Sequence, residues 1–132
     1  MLRRIPLTIV SFLLYNAGLA GLFGAAEPWG TQLFDLAMIS GGVWAMTLAD
    51  LLVVVALALL FVEIVKSTAS TTASIVDHML SLVVFVLFLV EFLLVRGAAT
   101  SLFLVLMVIA LVDVMAGFTV SMRTASRDIN LG

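Results

Sequence analysis

Five carboxyls and one imidazole of this chain lie inside, or at the margins of, long apolar runs: Asp50, Glu63, Asp77, His78, Glu91 and Asp113. A charged side chain in hydrocarbon costs at least about 2.5–3.5 kcal/mol, so each must be capped, paired, hydrated or put to use. The chemistry open to such groups is the binding or relay of protons and cations. Most of them have a simpler placement. Thr47-Leu48-Ala49-Asp50 and Ser74-Ile75-Val76-Asp77 both read Ser/Thr-x-x-Asp ahead of an apolar run. In that pattern two side chains satisfy free backbone N–H groups at a helix start, so Asp50 and Asp77 are expected as caps. Glu63 stands three residues before Lys66, the spacing of a helical ion pair. Glu91 precedes Arg96 by five residues, a depth of about 7 Å from which a carboxyl snorkels to water.

Asp113 has none of these outlets. It lies roughly 13 Å below the end of its apolar run beside Arg123, and no basic residue stands one turn away. Its face reads Ala110, Asp113, Gly117, Ser121, otherwise a small-residue stripe suited to close helix contact. A carboxyl there must meet a donor, meet water or stay protonated. Partners are suggested by depth: Tyr15 and Asn16 at roughly 15 Å in the first apolar run, and Ser81 at roughly 12 Å in the third. Ser74, Asp77, His78 and Ser81 share one helical face. The candidate intramembrane network is therefore Asp113, Tyr15, Asn16, Ser81 and His78.

Catalysis finds no footing. Asp77, His78 and Ser81 belong to one helix on which adjacent residues diverge by about 100°, so they form no relay. The chain has no GxSxG elbow, no phosphate-binding loop, no Glu-x-x-His pair and no cysteine. The acids are spread along the sequence, whereas a hard cation needs several oxygens at one depth. We expect no enzyme, no cofactor and no metal.

The elements that must position these groups follow from composition. Of 132 residues, 64% are hydrophobic and 11% charged, and the mean hydropathy is +1.35. A soluble domain runs at about 45–50% apolar and about 25% charged, so the chain belongs in a bilayer. Six scattered Lys and Arg against eight Asp and Glu give a net charge of −2, which offers nucleic acid no footprint. Apolar runs predict four transmembrane helices, at about 5–23, 44–65, 75–95 and 100–122, in an antiparallel up-down bundle forming a single domain over 1–132. The first run follows Arg3 and Arg4 as a secretory signal does. At about 19 residues it exceeds the roughly 7–15 of a signal core, and is read as a retained helix. Between the first two helices, Pro28 and Gly30 break the chain and Leu33, Phe34, Leu36, Ala37 and Met38 suggest a short interfacial helix stopped at Gly41-Gly42. Trp29 and Trp44 bracket it as indoles do at headgroups.

Arg3, Arg4, Lys66, Arg123 and Arg127 fall on one side of this layout and Arg96 alone on the other, so both termini are expected in the cytoplasm. Localisation is then the inner membrane, multi-pass. The function expected is an accessory, assembly or scaffold subunit, embedded in lipid as a homo-oligomer or with other membrane subunits. The alternative is a small oligomeric proton or cation transporter built on Asp113. Water separates them: transport needs Asp113 in a hydrated cavity, and a structural knot is dry and fully paired.

Overall fold

A computed structural model describes residues 6–22, 24, 28–69 and 74–131, without the side chains of 67–69, 74–75, 77 and 120–131. The described chain is mostly helical. Helix α1 covers Thr8–Leu19, α2 Leu48–Ala69, α3 Ser74–Leu94 and α4 Ser101–Leu131, with strands β1 (Gln32–Ala37) and β2 (Val43–Thr47) between α1 and α2. Single 3₁₀ turns at Pro28–Gly30 and Arg96–Ala98 lead into β1 and α4. Two stretches, Leu48–Lys66 and Ser101–Thr119, are long and apolar enough to cross a membrane, with mean hydropathies of 2.8 and 2.5.

Helix α4 is the centre of the packing, lying against α3 and α2 and touching α1. The core is aromatic. Phe88 meets Phe103 at 5.2 Å and Phe12 at 5.0 Å, and Tyr15 meets Phe103 edge-on at 4.8 Å. Such offset geometries add about 0.5–1.5 kcal/mol per pair beyond the area they bury. Outside this core the helices are covered with exposed Leu, Val, Met and Phe, among them Leu57, Phe61, Leu93 and Met115. In water that surface is an aggregation liability; against lipid tails it costs nothing.

Four expectations need correction. The connection between α1 and α2 holds a β-hairpin, not an interfacial helix, so the described chain is not all-α. β1 and β2 pair antiparallel, with Phe34 opposite Met46 and Leu36 opposite Trp44. Alternation is the reason: these four large side chains share one face, and Asp35, Ala37, Val43 and Ala45 take the other. Gly41, read from sequence as a helix stop, is the turn residue, at φ +91° where glycine is unstrained. Its N–H donates to the Met38 carbonyl at 3.0 Å. Consequently α2 begins at Leu48, because residues 44–47 belong to β2.

The first helix is also shorter than 5–23, ending at Leu19 where Ala20 and Gly21 turn the chain. The last is longer than 100–122, reaching Leu131. Residues 123–131 contain no Gly or Pro to stop a helix, and their polarity ends only the apolar run.

Candidate functional site

Polar side chains gather at the two ends of the helix packing. At the end facing the hairpin, Tyr15 is completely buried. Its hydroxyl donates to the Gly97 carbonyl at 2.9 Å and lies 2.8 Å from Thr100 Oγ1, which donates to it in turn. Thr100 Oγ1 accepts from the Phe103 N–H at 3.2 Å and so caps α4. The Tyr15 ring stacks on Trp29 with centroids 5.1 Å apart. Beside it Asn16 donates to the Phe12 carbonyl at 2.9 Å and to the Glu91 carboxylate. Glu91 thus meets an amide on α1 instead of reaching outward to Arg96. A cleft of about 380 Å³ opens here, lined by Tyr15, Trp29, Thr100 and Leu102 among others. Both hydroxyls on its wall are engaged in hydrogen bonds.

The start of α2 belongs to this end. The Thr47 N–H donates to Asp50 Oδ2 at 3.1 Å, and the Asp50 N–H to Thr47 Oγ1 at 3.2 Å. This is a reciprocal capping box. For Asp77 the corresponding side chain lies outside the described ones.

The opposite end is built from the start of α1, the end of α2, the start of α3 and the middle of α4. Glu63, 5% exposed, accepts from the Leu7 N–H at 3.1 Å through Oε2 and pairs with Lys66 Nζ at 3.5 Å. Asp113, also 5% exposed, is hydrogen-bonded to the Ser81 hydroxyl and feels the charges of both Glu63 and Lys66. Its Oδ2 is buried and has no hydrogen-bond partner. His78, one helical turn before Ser81, is 6% exposed and its Nε2 is likewise unpartnered. Gly117 on α4 lies flat against the His78 ring, so that a Cβ there would collide with it. On α1, Ser11 donates to the Thr8 carbonyl at 2.8 Å while the buried Thr8 Oγ1 has no partner.

The five residues of the sequence-derived network therefore divide. Asp113, Ser81 and His78 share the Lys66 end, and Tyr15 and Asn16 sit at the hairpin end. Depth explains the split. Leu7 is level with Glu63, so Tyr15, eight residues further, lies about 12 Å beyond that level along α1. Glu63, assigned from sequence only to Lys66, is the group that faces Asp113. Thr8, Ser11 and Thr100 were missed altogether. Thr100 had a readable signal as the hydroxyl before the apolar run of α4, and Thr8 with Ser11 as hydroxyls at helical spacing.

No known family model, curated protein or solved structure matches this chain. Its function must be argued from the chain itself. Among the described residues no group of three His, Cys, Asp or Glu is placed to hold a metal ion. What the Lys66 end brings together is two buried carboxyls, a buried imidazole and hydroxyls, beside one partly exposed ammonium.

Proposed function

We propose that the chain is a small polytopic inner-membrane protein without catalytic apparatus, acting as an accessory, assembly or scaffold subunit in a homo-oligomer or with other membrane subunits. In this reading α1 to α4 carry four crossings, both termini are cytoplasmic, and the hairpin lies at the outer face. The observation that carries it is the hairpin. Phe34, Leu36 and Trp44 present an exposed apolar face, Ile39 stands fully exposed at the tip, and the only charge in residues 32–47 is Asp35. A two-stranded hairpin is marginal alone, and this one opens directly into α2 without a linker. A second protein surface at the membrane boundary would cover it. Native mass spectrometry from mild detergent tests the reading. The expected result is an oligomer or a stoichiometric complex that the double substitution Phe34→Ser, Leu36→Ser dissolves. A bare monomer in the unsubstituted protein overturns it. Topology is tested with Thr31→Cys, an exposed position before β1, which should label from outside intact cells; labelling only after permeabilisation overturns the orientation.

One observation favours a second reading, the oligomeric proton or cation transporter. The unpartnered buried atoms of Asp113 and His78 leave the Lys66 end short of a fully paired knot. Proteoliposomes enclosing a pH-sensitive dye check it: flux above that of empty vesicles is expected, and its absence removes proton transport.

A further inference from the structure

We propose that the Lys66 end of the bundle is a proton-binding site, in which Asp113, buried beside Glu63, carries the proton. The charges facing this site can be named for each packed element. Helix α2 contributes Glu63 and Lys66, α3 contributes His78, α4 contributes Asp113, and α1 contributes only hydroxyls and the Leu7 N–H among the described side chains. Lys66 neutralises Glu63, which it approaches to 3.5 Å and which also accepts a backbone N–H. One described ammonium therefore faces two carboxyls, since Lys66 acts on Asp113 as well as on Glu63. Two carboxylates close together in a dry site do not both stay ionised.

The hydrogen bonds point the same way. An ionised Asp113 offers about four lone-pair directions, yet Ser81 is its hydrogen-bond partner and Oδ2 has none. A buried anion so poorly served is costly, whereas a neutral acid is served by Ser81 alone, whose hydroxyl oxygen can accept the acid O–H. His78 Nε2, likewise buried and unpartnered, gives Asp113 no hydrogen bond. A metal ion does not fit either, since these groups do not converge as ligands. The ligand class that remains is the proton. Lys66, with about a quarter of its side chain exposed, connects the pair to water.

This site stands independently of the accessory reading, since a chain with no partner subunit would still hold the proton. Infrared spectroscopy of the full chain in nanodiscs reads it directly. At neutral pH the wild type should show the C=O band of a protonated carboxyl, shifted by carbon-13 labelling of aspartate. The band should be lost in Asp113→Asn, and its pH profile should change in Glu63→Gln. No protonated band, a band indifferent to aspartate labelling, or a profile indifferent to Glu63→Gln overturns the proposal. The labelling arm needs no substitution, so it decides even if a variant fails to fold.

Discussion

The two polar ends of this molecule are made of similar groups and finished differently. At the hairpin end the Tyr15 hydroxyl, the Thr100 hydroxyl and the Gly97 carbonyl close on one another, with each hydroxyl both donating and accepting. At the Lys66 end Asp113, His78 and Thr8 each keep a buried atom without a partner. Among the described residues, the unpartnered buried atom at the hairpin end is Glu91 Oε2, and its residue is only half-buried. A closed set of neutral groups holds helices together. A set with surplus carboxyls and unmatched atoms costs stability, and that cost marks the part of the fold shaped by something other than packing.

The strongest way to break this comparison is to remove the centre of the closed end. Tyr15→Ala deletes a fully buried ring that touches both Phe103 and Trp29. It should cost about 3–5 kcal/mol, the range for large aromatic truncations, read by unfolding in detergent. A loss under about 1 kcal/mol would mean that α1 is not anchored there.

The next effect lies at the open end. Gly117→Ala places a methyl against the His78 ring, where no space exists. Overpacking of this kind costs about 1–3 kcal/mol. The double variant Gly117→Ala, His78→Ala should recover most of that loss, because the ring is the obstacle. Failure to recover would place the strain in the backbone of α4. A smaller effect belongs to the α2 cap: Asp50→Ala or Thr47→Ala should cost about 1 kcal/mol, and the double variant should cost little more than either one.

Much of this arrangement was legible in the chain. Thr47 and Asp50 declared a capping box because its chemistry is local. Glu63 with Lys66, and Asp113 with Ser81, were legible for the same reason: helical spacing and counted depth hold along a regular helix. What failed was depth measured from the wrong starting point. Asp113 was counted inward from the end of the apolar run near 122, but α4 runs on to Leu131 and Asp113 lies beside Glu63, about 12 Å along α1 from Tyr15. The hairpin failed because a short apolar run suits a helix or a strand equally well, and only the cross-strand pairing of Phe34 with Met46 decides.

The sharpest test uses two nearly isosteric substitutions, one at each end. Tyr15→Phe removes only a hydroxyl and keeps the ring between Phe103 and Trp29. The Gly97 carbonyl then loses its donor and Thr100 loses its acceptor, so the closed end should weaken by about 1 kcal/mol. Asp113→Asn also changes very little volume, but the open end has little pairing to lose. The Asn amide keeps a hydrogen bond with Ser81 and brings N–H donors toward Glu63, and the surplus acid is gone. Stability should stay within about 0.5 kcal/mol of the wild type, or rise. Asp113→Leu separates polarity from charge at the same position, since it leaves Ser81 unmatched and should loosen the fold by about 1–2 kcal/mol. All three are read by the same detergent unfolding series. If Asp113→Asn costs more than Tyr15→Phe, the Lys66 end is the tighter of the two and its carboxyl is a structural anion, fully used as it stands.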